Sequence, residues 1–238
     1  MYSSQESQMT VSEHFSEFYK IIRFSALGVL ILSFFLSFLI DDLIKYWLEF
    51  LAFDNTIALA IYSPYDWINI KWAILFIISI TAVLPITSLR LRRFALPGLY
   101  PREQTWLSLV LLLSAFFTPI LIILIWFIAL PFSLNFFIEI GAIDGVIARY
   151  NAASLIYLGI GLSWILIIGV LTTIILSLSR IFGIVEGTES RIRVRIILIG
   201  FSLIFLTLPE TFEGLRIVIA FFTIFSADYL SRMTPILE

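Results

Sequence analysis

The sequence predicts an all-α fold, a polytopic membrane bundle of six crossings whose last two are short and whose termini both lie on the cytoplasmic side. Three observations carry this reading. Hydrophobic residues fill 61% of the 238 positions and the mean hydropathy is +1.05, well above a soluble domain's share of about 45–50%. Charged residues amount to only 13%, and they fall in clusters that separate long apolar runs. Lysine and arginine are divided unevenly between alternate clusters. The same composition excludes other classes. Fifteen basic against seventeen acidic residues leave no broad basic surface, so nucleic acid is not an expected partner. With no Cys and a single His, His14, disulfides, thiolate sites and histidine-built metal centres fall away, and no cofactor is expected.

The elements follow in order along one membrane domain, residues 1–238. Thr10-Val-Ser-Glu13 reads as a capping box. A helix is therefore expected over about residues 10–22, with Val11, Phe15, Phe18 and Ile22 forming an apolar stripe suited to the membrane surface. Phe24 to Ile40, 17 uncharged residues, gives a first span at 24–40, near the lower limit for a core of about 30 Å. The stretch before it carries acids and no cleavage motif, so the span reads as an anchor rather than a removable signal peptide. The second span, 72–89, follows an interfacial loop with Tyr62, Tyr65, Trp67 and Trp72 as aromatic anchors. A third uncharged run extends from Gln104 to Ile138. It predicts a span at 106–130 kinked near Pro119, then an exit loop from Pro131 with a short helix through Asn135 to Ile138. Tyr150 to Ser179 supplies the fourth span, 154–178, in which Gly159, Gly161 and Gly169 permit close helix approach. After Arg195 the runs shorten to 13 residues (Ile196 to Leu208) and 11 (Ile217 to Ala227). These predict spans at 196–208 and 215–227, only about 20 Å and 17 Å long, which would thin the bilayer around them. The linker between them carries Glu210 and Glu213, and its charges place it in water rather than at the midplane.

With six crossings, Lys20, Arg23, Arg90, Arg92, Arg93, Arg102, Arg180, Arg191, Arg193, Arg195 and Arg232 fall on one side, against Lys45, Lys71, Arg149 and Arg216 on the other. Because cytoplasmic loops carry the basic excess, the 11 to 4 division puts both termini in the cytoplasm.

Three acids stand out as candidates. Glu17 lies three residues from both His14 and Lys20, a spacing that fits a solvated helix pair as well as a binding group. Glu103 is the sole acid in Arg90 to Glu103, among four arginines, in a segment bent by Pro97, Gly98 and Pro101. It reads either as paired with Arg102 or Arg93, or as a preorganised carboxylate for a cationic ligand, since guanidinium binds carboxylate bidentately. Glu210 either solvates its turn or is a functional acid. No G-x-S-x-G, H-E-x-x-H, Walker or G-x-G-x-x-G pattern occurs, which argues against an enzyme. The first four runs hold no charge, which argues against an ion relay.

Taken in order, four stretches resemble the TatC family, the multispanning subunit of the twin-arginine protein translocase. His14-Phe-Ser-Glu17 is similar to the family's H-L-x-E before the first span. Phe94-Ala-Leu-Pro97-Gly98-Leu99-Tyr100-Pro101-Arg102-Glu103 is similar to its F-x-x-P-A/G-L-Y-x-x-E loop. Ser63-Pro64 through Lys71 and Leu206-Thr-Leu-Pro209-Glu210 match two further motifs. Tyr19 stands where the family has Arg. Gly161-Leu-Ser163-Trp164 replaces a buried Glu followed by Pro in the fourth span. The resemblance implies a receptor and scaffold in the cell membrane with no catalytic site. It would bind twin-arginine signal peptides through Glu17, Glu103, His14 and Phe94, with Pro97, Gly98, Leu99, Tyr100 and Pro64 shaping the loops. It also implies TatA/TatB-like single-span partners, several copies in an assembly, and transport driven by the proton-motive force. The alternative, a small secondary transporter or channel component, would need polar groups at midplane depth and an internal repeat, and the chain shows neither.

Overall fold

In a computed structural model of the chain, which describes residues 11–51, 58–60, 63–141, 149–183, 185 and 191–233, helix α1 runs unbroken over Val11–Leu36. Thr10, the first residue of the expected capping box, lies outside the described residues. No Gly or Pro separates Lys20 from Phe24, and Lys and Arg are good helix formers. The surface helix and first span are thus one 26-residue helix. A tight turn, in which the Leu39 N–H meets the Leu36 carbonyl at 2.9 Å, leads to α2 (Ile40–Leu51). This short helix turns Ile40, Ile44, Trp47 and Leu51 inward, the spacing of a one-faced amphipathic helix.

Helix α3 spans Pro64–Ala95 with Pro64 in its first turn, where the missing N–H costs nothing. The expected interfacial loop is therefore mostly the first turns of this helix. Its Lys71 pairs with Asp41 of α2 at 2.5 Å. After a 3₁₀ turn at Leu96–Gly98 the chain enters α4 (Pro101–Leu124), which contains Pro119. A π turn at Ile125–Ala129 then feeds directly into α5 (Leu130–Gly141). The exit loop expected at Pro131 is absent from this described stretch. The wider π turn sits where the proline would otherwise clash with the carbonyl four residues back, so the chain stays helical.

Two three-residue strands add to the all-α reading: β1 (Ala58–Ala60) pairs in parallel with β2 (Arg149–Asn151). Helix α6 (Ala152–Ile181) follows, its first turn capped by the Asn151 side chain, which accepts from the Ala153 N–H at 3.0 Å. It is the central element and packs against α3, α4, α7 and α8. Helices α7 (Arg191–Thr207) and α8 (Arg216–Arg232) have 17 residues each, about 26 Å. Both outrun their apolar segments. The added turns carry Arg191, Arg193 and Arg195 on α7 and Asp228 and Arg232 on α8, so each helix is longer than its apolar run of about 20 Å or 17 Å. Among the described residues four stretches are long and apolar enough to cross a bilayer: Ser16–Leu36, Tyr65–Gly98, Pro101–Phe136 and Ala152–Ile181.

The 3₁₀ turn Glu210–Phe212 between α7 and α8 presses the Phe212 ring onto Gly161 of α6. A Cβ at Gly161 would stand 2.2 Å from that ring, so the close approach depends on glycine.

Candidate functional site

The geometry begins where α1 lies antiparallel on α3. Ser25 and Thr87 share a hydrogen bond of 2.7 Å, and Ser33 donates to Ser79 at 2.8 Å. The same register places the Arg90 guanidinium 3.4 Å from the centre of the Phe24 ring and the Phe18 ring 6.0 Å from that of Phe94. Glu17, half-buried, thus sits one residue from the contact that joins α1 to the loop after α3. Among the described residues no hydrogen bond or ion pair engages its carboxylate, so the expected pairing with Lys20 is not formed. The His14 and Pro64 side chains lie outside the described residues.

Phe94 is half-buried and packs on a cluster that includes Leu91, Ala95, Leu99, Leu107, Ile174 and Leu178. The loop that follows is a closed cap. Pro97 lies in the 3₁₀ turn, Leu99 drops into the cluster, and Tyr100 points outward with Pro101 opening α4. A side chain at Gly98 would meet nothing within 4 Å. Gln104 ties the loop down by donating to the carbonyls of Leu96 (3.0 Å) and Leu99 (2.9 Å). Neither reading of Glu103 foresaw its local role. Its Oε2 accepts the Tyr100 N–H at 3.0 Å, the reach-back half of a capping box, and it forms no ion pair among the described residues. At 8% exposure it is buried, held in place by the helix it caps and open to a further donor at Oε1.

Glu210 is exposed and lies at the opposite end of the bundle. Its turn packs at Gly161, whereas the Phe94 cluster contacts α6 near Leu178, about 25 Å further along that helix. The structure therefore groups Phe94, Glu103 and the Glu17 turn at one end and leaves Glu210 apart.

A family model described as Sec-independent protein translocase protein (TatC) matches residues 13–226. The chain belongs to the TatC family. Two solved structures share its fold. One, titled as the crystal structure of the twin arginine translocase receptor TatC, has a TM-score of 0.61 at 18% identity, covering 93% of this chain and 99% of its own. The other, of the same receptor in the detergent DDM, has a TM-score of 0.57 at 20% identity and covers 94% and 100%. No curated protein matches significantly. This TatC-family chain is a membrane subunit of the Tat translocase, a transport component rather than a classical enzyme.

Two features of this TatC-family chain escaped the sequence reading. In α6, Ser163 is fully buried: it accepts the Trp126 indole N–H at 3.0 Å and donates to the Gly159 carbonyl at 2.8 Å. Trp47 in turn donates to the Trp126 carbonyl at 3.0 Å. A neutral indole and hydroxyl pair thus occupies the stretch where the resemblance leads one to expect a carboxylate. The second is Asp228, which gathers Arg180, Arg193 and Arg232 at the Phe94 end. The i,i+4 spacing of Asp228 and Arg232 was its only local signal.

Proposed function

We propose that this chain is the receptor that admits folded export substrates to the twin-arginine translocase, binding signal peptides that carry two consecutive arginines and recruiting single-span Tat partners for transport driven by the proton-motive force. Six crossings with both termini in the cytoplasm belong to this reading. One observation carries it: Glu103 is buried, preorganised by the Tyr100 N–H and unpaired among the described residues, although four arginines share its loop. A carboxylate held this way is a ready acceptor for an incoming guanidinium. Glu17, linked through Phe18 and Phe94, supplies the second. An arginine fork can make two parallel bonds to a carboxylate, whereas lysine keeps only the charge.

The test is the affinity of arginine and lysine signal peptides for the purified protein in nanodiscs. Glu17→Gln and Glu103→Gln should each weaken arginine-peptide binding by about 1.5–3 kcal/mol, the range for hydrogen bonds to charged groups, and Glu186→Gln should leave it unchanged. Unaltered affinity in both Glu17→Gln and Glu103→Gln would remove the receptor mechanism.

A further inference from the structure

Two shallow grooves adjoin each other on the outer face of α4. The first, of about 540 Å³, lies between α4 and the end of α3; Arg92, Gln104 and Ser108 line it toward the loop, and Leu109, Leu112 and Leu113 line it further along. The second, of about 420 Å³, shares Thr105 and Leu109, adds Arg102 and Trp106, and is bounded on its far side by Met233 just beyond α8. Arg92 donates through Nε to Ser108 at 2.8 Å, while its terminal amino groups and the whole Arg102 guanidinium have no partner among the described residues. No carboxylate lines either groove. The three leucines are exposed. From Arg102 to Leu113 the helix rises about 16 Å, the depth of one leaflet in a core of about 30 Å.

We propose that this face of α4 binds one anionic glycerophospholipid, with its phosphate between Arg92 and Arg102 and an acyl chain along Leu109, Leu112 and Leu113. Two uncompensated guanidiniums select a net negative headgroup over a zwitterionic one. The apolar strip beneath them is one helix face wide, which suits a single hydrocarbon chain. Placing the site in the cytoplasmic leaflet rests on the orientation proposed above; the site itself does not.

The experiment is native mass spectrometry of the full chain in detergent, titrated with dioleoyl phosphatidylglycerol or dioleoyl phosphatidylcholine. The wild type should retain one phosphatidylglycerol at least about tenfold more tightly than phosphatidylcholine. Arg92→Gln and Arg102→Gln should each reduce that affinity about fivefold. Arg92→Lys should keep most of it, and Arg191→Gln, on an exposed arginine outside the grooves, should leave it unchanged. Equal retention of the two lipids, or an equal loss in Arg191→Gln, would overturn the site and leave only diffuse attraction to the basic end. Lipid retention is read without signal peptide, so a failure of the receptor reading and a failure of the lipid site are separate results.

Discussion

Asp228 illustrates how one residue can join three helices. It is 4% exposed, accepts from Arg193 Nε at 2.7 Å and Arg180 Nη2 at 3.2 Å, and meets Arg232 Nη2 at 2.9 Å. Arg180 and Arg193 are themselves buried, so without the carboxylate neither can turn to water. Asp228→Asn should therefore cost about 3–5 kcal/mol, the range for a buried pair broken on one side. Arg232→Gln should cost under about 1 kcal/mol because that arginine is half-exposed. Thermal unfolding in detergent checks both, and equal effects would mean that the network behaves as a surface cluster. Glu103 separates folding from binding in the same way. A glutamine at this position keeps an oxygen for the Tyr100 N–H, so Glu103→Gln should unfold with the wild type. Glu103→Ala should lose about 1 kcal/mol through the uncapped helix.

At the scale of elements, α6 is the axis on which the others are mounted, and its Gly161 decides whether the α7–α8 turn can close. Gly161→Leu should destabilise the protein by about 1–3 kcal/mol, as overpacking does in a filled core. Adding Phe212→Ala should recover part of the loss by removing the ring that the new side chain meets. If the double variant is no more stable than Gly161→Leu alone, the contact is not what holds the turn. The existence of these helices was legible in the sequence because apolar runs report what must avoid water. Their ends were not, because charge does not stop a helix. Lys20 and Arg23 in α1, Arg191 to Arg195 in α7 and Asp228 with Arg232 in α8 all continue the backbone pairing beyond the apolar run. Pro131 misled for the opposite reason, since a π turn can accommodate what an ideal helix cannot. The Phe94 loop was legible as a candidate because its prolines and lone acid are adjacent in sequence. The Asp228 network was not, because Arg180 and Arg193 lie 48 and 35 residues away.

For the whole molecule, the decisive property is how charge is sorted between the two ends of the bundle. Arg90 on Phe24, the loop from Arg92 to Arg102, and the arginines around Asp228 all gather where α6 finishes, as the shared packing of Leu91, Leu99 and Leu178 requires. The other end holds the Lys71–Asp41 pair, the β1–β2 pairing, and Tyr157 within 3.3 Å of Asp66. Helices that alternate between these ends bring the start of α1 and the finish of α8 to the arginine-rich one. In the proposed orientation, retention of basic residues on the cytoplasmic side places that end in the cytoplasm. Single cysteines at Ser7, Asn55, Ala142 and Glu189 in this Cys-free sequence can be labelled with a membrane-impermeant maleimide from either face of sealed vesicles. Ser7 and Glu189 should react from the cytoplasmic face, and Asn55 and Ala142 from the opposite one. Moving the excess should strain this arrangement: replacing Arg90, Arg92, Arg93 and Arg102 with Gln removes four of the 11 basic residues on that side and should produce a mixed population at Asn55. Reaction of Ser7 and Ala142 from the same face in the parent chain would mean an even number of crossings between them in place of the expected three, and the proposed placement of Glu17 and Glu103 together on the cytoplasmic face would fall with it.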